Sequence, residues 1–374
     1  MTGLRVGVHA DPINHRIPGG IGVYVKRLVE ELLKAKGDTS IRLIATDPVS
    51  MEPAEWWKPN WWQPPGRFSS LSLKTLYASW NYLGVPRVKS DLDVIHATNL
   101  VIPPAGAARL VATVHDVAVD TMPEVVPGTW RRIYARGLHQ AVGRAVVICA
   151  VSEAVKSQLV ADYSVDPARV VVTPEAPNVS PNDYRDDLWL DGLGLTGPFV
   201  LNVGTVEPRK NQVALLEAFA EAGPRLRGMQ LVVAGSPGWG SGGLTAQIAR
   251  LKLDGQVVIT GAIGASALAA LYGKASIFAM PSLYEGFGIP LLEAMAFGVP
   301  CVASTDPALQ EVGGQAARYL NPKDSSAWAA ELAGLAGDAA ARAELSVAGM
   351  QRVSAFTWRQ TAEKTLDAYR QAAA

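Results

Sequence analysis

The sequence predicts an α/β protein of two doubly wound parallel sheets, and three observations carry that prediction. Short apolar runs alternate with stretches of helical periodicity through both halves of the chain. Turns bearing glycine, histidine or charge close those runs, at the strand ends where open α/β sheets hold ligands. At 374 residues the chain is too long for one ordinary domain and suits two of about 150–190 residues each. A first domain is expected over 1–178, a polar linker over 179–197 and a second domain over 198–355.

Composition narrows the class. A hydrophobic share of 49% is ample for two cores. Lys+Arg and Asp+Glu both total 34, and the parts before and after Asn178 carry only +3 and −3. No global field therefore attracts nucleic acid. Cys149 and Cys301 lie in separate apolar runs and are expected as buried free thiols, which suits a reducing cytoplasm. Two cysteines alone cannot form a metal site. No basic-then-apolar leader opens the chain and no apolar run reaches about 18 residues, so a cytoplasmic, soluble protein is expected.

Leu4–Ala10 reads as the first strand, followed by a loop through Ile13–Gly22 and a helix with Val25, Leu28, Val29 and Leu32 on one face. Gly19 and Gly20 in that loop would let backbone approach a phosphate or sugar closely. They lack a third glycine in register, so a dinucleotide fingerprint is not met, and a tight turn remains the alternative. Ile41–Thr46 is the second strand. Trp56, Trp57, Trp61 and Trp62 then crowd a Pro-rich stretch that reads as a loop, with Arg67 and Lys74 beyond it. Tryptophan beside cations suits a membrane interface or a sugar surface. A loop that folds its rings back on the domain explains the pattern equally. Asp91-Leu-Asp93 matches a metal-binding D-x-D pattern, but its place before the strand Val94–His96 also marks a solvated loop. Val111–His115 is a strand whose last residue, His115, faces the usual ligand crevice or is a hydrogen-bonded core histidine. Val146–Val151 with Ser152-Glu153 is a further strand-to-helix transition, and Val170–Thr173 runs into the stiff exit Pro174–Asn178.

The second half opens with the strand Phe199–Val203, then Gly204 and the pair Arg209-Lys210 ahead of a helix carrying Val213, Leu216, Phe219 and Ala220. Two cations on such a loop suit a departing diphosphate, Arg as a fork and Lys as a point charge. Leu231–Ala234 and Val257–Thr260 are strands with glycine exits, and Ile277–Met280 is a short buried one. Next comes Ser282-Leu-Tyr-Glu-Gly-Phe-Gly-Ile-Pro-Leu-Leu-Glu-Ala-Met-Ala296. Glu285 sits on its Gly-rich loop (Gly286, Phe287, Gly288) and Glu293 on the first turn of a helix that Pro290 opens. Helix-end N–H groups favour a diphosphate, while the two carboxylates can accept from ribose and hexose hydroxyls. Two solvated glutamates are the alternative. Pro300–Ser304 reads as a strand, Glu311 as the start of a helical region, and the Ala-rich segment Ala327–Ala341 as a good helix former.

The stretch Pro281–Pro300 closely resembles the E-x7-E signature of family 4 retaining glycosyltransferases with the GT-B fold, two Rossmann-like domains facing a central cleft. His115-Asp116, Ser152-Glu153 and Glu207-Pro-Arg-Lys-Asn211 extend the resemblance over nearly the whole chain. It implies that Glu285 contacts the donor sugar, Glu293 the ribose, His115 the hexose, and Arg209 and Lys210 the phosphates. Gly19 and Gly20 would face the donor, and backbone around Ile263 would hold the base. Gly204, Gly286, Phe287 and Gly288 would line the same site. The resemblance also implies that the last helix, about 356–374, returns to the first domain.

The activity so implied is hexosyl transfer from a nucleotide diphosphate sugar, with no metal and no cofactor beyond the donor. The wider pattern looks most like bacterial mannosyltransferases of polysaccharide assembly, which favours GDP-mannose over UDP-glucose or UDP-N-acetylglucosamine. A saccharide or lipid-linked acceptor is expected, with peripheral contact at the inner face of a membrane through the Trp56–Trp62 loop. An epimerase on the same fold and a non-catalytic sugar-nucleotide binder are the readings from other classes.

Overall fold

The structure, a computed structural model, describes residues 3–14, 20–45, 61–62, 71–88, 91–104, 106–126, 128–185, 188–238 and 242–374. It forms two compact units, Met1–Glu175 with Thr357–Ala374, and Ala176–Phe356. Among the described residues the first unit holds β1 (Arg5–His9), β2 (Ser40–Ile44), β3 (Trp61–Trp62), β4 (Val94–Ala97), β5 (Arg109–Val114), β6 (Val147–Ala150) and β7 (Val170–Val172). All pair in parallel in the order β3-β2-β1-β4-β5-β6-β7. The second holds β8 (Phe199–Val203), β9 (Gln230–Ala234), β10 (Val257–Gly261), β11 (Ile277–Met280), β12 (Cys301–Ser304) and β13 (Ala317–Leu320). These too are parallel, ordered β10-β9-β8-β11-β12-β13. Strand order reverses between β1 and β4 and again between β8 and β11, and such reversals open ligand crevices at the carboxyl ends.

Parallel strands covered on both faces need apolar residues at nearly every position. β4, β6, β11 and β12 are buried along their whole length. The first core joins β1 and β5 residues to Val25, Leu28 and Leu32 of the helix Gly20–Ala35 and to Leu366 and Tyr369 of the helix Trp358–Ala373. The last helix thus belongs to the first unit. Its Tyr369 hydroxyl bonds His96 Nδ1 at 2.8 Å, and Thr113 Oγ1 takes Nε2 at 2.7 Å. Burial pushes His96 down to about 3, so it is a neutral core histidine. Cys149 and Cys301 are buried and free, and burial pushes the Cys149 thiol up to about 12.

Several sequence expectations shift. The stretch 179–197 is no linker: its short turn Pro181–Asp183 and helix Leu188–Asp191 pack on the helix Ala265–Lys274 of the second unit. The Ala-rich segment Ala327–Ala341 is helical as expected, and it divides between the helices Ser325–Gly337 and Ala339–Val353 where the Asp338 carboxylate accepts from Ala341 N and caps the second. The helix expected from Glu311 begins at Pro307, behind the N-cap Asp306. Trp61–Trp62, expected in a loop, pairs with β2 as an edge strand. Trp56 and Trp57 lie outside the described residues. Among the described residues no helix is long and apolar enough to cross a membrane.

Candidate active site

The reversal between β8 and β11 gathers the charged residues of the second unit. β8 runs out at Gly204, whose φ of 153° suits glycine, and the Lys210 stem packs beside it. Pro208–Lys210 makes one tight turn and Asn211 takes a left-handed conformation, after which the helix Gln212–Ala222 starts. That turn aims both cations at the loop beyond β11. Lys210 Nζ lies 2.6 Å from Glu285 Oε1, and Arg209 Nη1 3.1 Å from Glu285 Oε2. Arg209 Nη2 also reaches Glu207 Oε1 at 2.8 Å. Burial pushes the Glu285 carboxyl up, but Lys210 and Arg209 more than reverse this and hold it below the usual carboxylate range.

The loop bearing Glu285 is fastened residue by residue. Asn211 Nδ2 donates to Pro281 O, Ser304 Oγ to Ser282 O, and Leu283 N to Arg209 O. Arg209 Nη1 donates to Tyr284 O, and Glu285 N to Asp306 Oδ2 at 3.2 Å. Gly286 and Phe287 are buried, Phe287 edge-on to Phe356 with ring centroids 5.9 Å apart. Gly288 has φ 104°, and a Cβ there would come within 2.4 Å of Leu309 Cδ2, so only glycine fits. It leads into the helix Ile289–Ala296, with Pro290 in the first turn.

Glu293, one turn into that helix, joins a different cluster. Tyr272 donates to its Oε2 at 2.9 Å and Asn178 N to its Oε1 at 3.2 Å. Burial pushes this carboxyl up to about 7; Tyr272 and the Asn178 and Val179 amides oppose the shift without cancelling it. The two glutamates of the signature therefore stand in opposite electrostatic settings, Glu285 ionised between cations and Glu293 poised near neutrality. Ile263 is half-buried in the short turn between β10 and the helix Ala265–Lys274.

In the first unit His115 follows β5 directly. Its Nδ1 lies 3.0 Å from Glu175 Oε1 and its Nε2 3.1 Å from Thr98 O. A carboxylate and a carbonyl both accept, so the ring satisfies both only as imidazolium. Burial pulls its pKa down, but Glu175, the Thr98 carbonyl and Asp116 more than offset this and raise it. Replacing Glu175 with Gln leaves burial dominant. The His115 ring is then expected to titrate below the reference value of 6.5, followed by its NMR ring resonances; an unshifted titration would show that Glu175 does not hold the ring's proton. Gly20 opens the helix Gly20–Ala35 as an exposed residue, and Gly19 lies outside the described residues.

Asp91 and Asp93 precede β4, at the strand end opposite the crevice. Arg5 bonds both, at 3.0 and 2.8 Å, and Arg42 bonds Asp91 at 2.9 Å. The pair is an ion-paired clasp of β1, β2 and β4. Among the described residues no three His, Cys, Asp or Glu side chains group as metal ligands. Sequence reasoning missed Glu175, Asn178, Glu207, Tyr272 and Asp306. Of these, Glu207 stands in the quoted Glu207-Pro-Arg-Lys-Asn211 stretch and Asp306 ahead of Pro307, where N-caps are common; the other three carried no local signal.

Both halves of the chain match known proteins. The model of "Glycosyl transferases group 1" matches residues 191–352 and that of "Glycosyltransferase Family 4" residues 18–179. O-antigen chain mannosyltransferase B of Escherichia coli is 31% identical over 74% of this chain and 74% of its own. The MMP alpha-(1->4)-mannosyltransferase of Mycolicibacterium hassiacum is 29% identical over 95% of both chains. A D-inositol 3-phosphate glycosyltransferase of Nocardioides sp. is 30% identical over 75% of this chain and 68% of its own. Among solved structures, sucrose-phosphate synthase of Thermosynechococcus elongatus superposes with TM-score 0.77 at 20% identity, covering 98% of both chains. HepE of Anabaena, solved with UDP and glucose, gives 0.73 at 19% identity over 97% of this chain and 98% of its own. These neighbours share the GT-B fold. Matched in each half by a family model and over 74% of its length by the E. coli enzyme, the chain belongs to the group 1 and family 4 glycosyltransferases.

Proposed function

We propose that this glycosyltransferase moves a mannosyl group from GDP-mannose to a hydroxyl of a saccharide or lipid-linked saccharide, retaining the anomeric configuration and using no metal. The observation that carries the reading is the Arg209–Lys210–Glu285 cluster at the β8/β11 reversal, beside the start of the helix Ile289–Ala296. Two cations and the positive end of a helix suit a nucleoside diphosphate. The mannosyltransferases among the relatives favour mannose, and the O-antigen enzyme favours a growing saccharide as acceptor.

In this reading the bond from the sugar's anomeric carbon to the donor phosphate breaks as the acceptor oxygen approaches on the same face. The acceptor's proton passes to a phosphate oxygen and the nucleoside diphosphate leaves. Arg209 and Lys210 take up the charge of the leaving group, which preorganised donors stabilise by a few kcal/mol each. Glu285 accepts from the hexose hydroxyls and Glu293 from the ribose.

A thermal-shift panel tests the donor. A nucleotide at a hundred times its Kd stabilises the native state by about 2.7 kcal/mol, which for domains of this size raises Tm by roughly 5–10 °C. GDP and GDP-mannose are expected to do so while UDP and UDP-glucose leave Tm unchanged. The HepE complex with UDP makes a uridine donor the second reading, and the reverse pattern would establish it. No shift with any of the four would overturn the donor site itself.

A further inference from the structure

Asp306 is given no contact of its own with the donor, yet its two oxygens serve two different structures. Oδ1 accepts from Ala308 N at 2.9 Å and Leu309 N at 3.3 Å, the ordinary work of a helix cap. Oδ2 accepts from Glu285 N at 3.2 Å, across 21 residues of chain. Ser304, two residues earlier, donates to Ser282 O at 2.6 Å, so the end of β12 grips the Glu285 loop at two points.

A cap alone does not call for a carboxylate here. Serine or asparagine caps as well as aspartate, and neither brings a charge into a buried place beside a second carboxylate. Burial, with a further contribution from Glu285, pushes Asp306 up to about 6, so ionising it there is unfavourable. What only the ionised carboxylate provides is an acceptor on both sides at once, one oxygen for the helix and one for the Glu285 amide.

We propose that Asp306 is a positioning residue of the diphosphate site: it fixes the Glu285 backbone so that the Glu285 carboxylate holds Lys210 and Arg209 in place to receive the phosphates. This rests on the donor reading above. Its sign is diagnostic. Removing a negative charge near an anion site by itself strengthens anion binding, so weaker binding after neutralisation must come from lost positioning.

Asp306→Asn keeps a capping oxygen but turns an N–H2 group toward the Glu285 N–H, where two donors repel. With GDP, UDP and their monophosphates as calorimetric probes, the variant is expected to bind the preferred diphosphate about tenfold more weakly. The matching monophosphate should stay within twofold of wild type, and Tm within a few degrees. A cap-only residue would not move that split. If Asp306→Asn fails to fold, Asp306→Ser, with a capping hydroxyl but no second oxygen, is expected to give the same split. Diphosphate binding unchanged or tighter in the variant, while Lys210→Ala loses it, would overturn the proposal and spare the donor reading. Wild-type protein that binds neither GDP nor UDP would take both down.

Discussion

Lys210→Ala is expected to lower kcat by about 10²–10³-fold at saturating donor, the usual cost of removing one preorganised charge from a developing anion. Lys210 is the shortest ionic contact of Glu285, at 2.6 Å in a place where both side chains are largely buried. The same substitution therefore leaves the Glu285 carboxylate with Arg209 as its remaining cation. Breaking a buried ion pair on one side costs about 3–5 kcal/mol in general, so lost activity could be mistaken for lost fold. The double variant Lys210→Ala with Glu285→Gln separates the two, because it removes the uncompensated carboxylate along with the cation. Its Tm is expected to recover toward wild type while kcat stays low. The pH dependence has a definite sign. Glu285 titrates below its reference value in the folded state, so it stabilises the protein above the unfolded pKa of 4.5 and that stability is lost as pH falls through the folded value. Without Lys210 the folded value rises, and acid unfolding should begin at higher pH. A kcat reduced less than threefold would make Lys210 a bystander.

Much of this cluster was legible because its parts lie next to strand ends. The run Ile277–Met280 is bounded as expected, since a parallel strand buried on both faces writes itself as an unbroken apolar stretch. Arg209, Lys210 and Glu285 each follow such a run by a few residues. The fold then has only to set β8 beside β11 for them to meet. What could not be read is the set of partners that tunes each carboxyl. Tyr272 is 21 residues from Glu293 and Asn178 is 115 away, and no local pattern links them. The same holds for Glu175 and His115, 60 residues apart. Asp306 and Asp338 were missed for another reason: even where a following proline hints at a cap, as after Asp306, a capping aspartate is told from a loop acid only once the N–H groups it accepts from are seen. The reading of Asp91-Leu-Asp93 as a solvated loop omitted Arg5 and Arg42, which come from neighbouring strands.

Glu293→Gln should make the protein more stable and less active at the same time. The folded carboxyl titrates at about 7 against a reference of 4.5. A raised carboxyl favours folding least at high pH. Below 4.5 both states hold the proton and nothing is lost; between 4.5 and 7 the unfolded chain releases it first, and above 7 the penalty is complete. At 1.36 kcal/mol per unit the penalty reaches about 3 kcal/mol. Glutamine does not titrate and can keep both bonds. Its oxygen takes the Asn178 N–H, and its N–H2 donates to Tyr272, whose hydroxyl can turn round to accept. Chemical denaturation at pH 8 should therefore show the variant more stable by up to about 3 kcal/mol, with the gap closing as pH falls toward 4. In the proposed function a ribose needs an acceptor for each of two hydroxyls, and an amide offers one. A hydrogen bond to a charged group is worth about 1.5–3 kcal/mol, so kcat/KM for the donor should fall roughly 10–100-fold. An equally active variant, or one whose stability keeps the wild-type slope with pH, would show that the carboxyl is not held for a ligand. Amide and carboxyl fit the Tyr272–Asn178 cluster equally well. Only the carboxyl incurs a penalty there at neutral pH, and a costly group in a replaceable position marks a functional site.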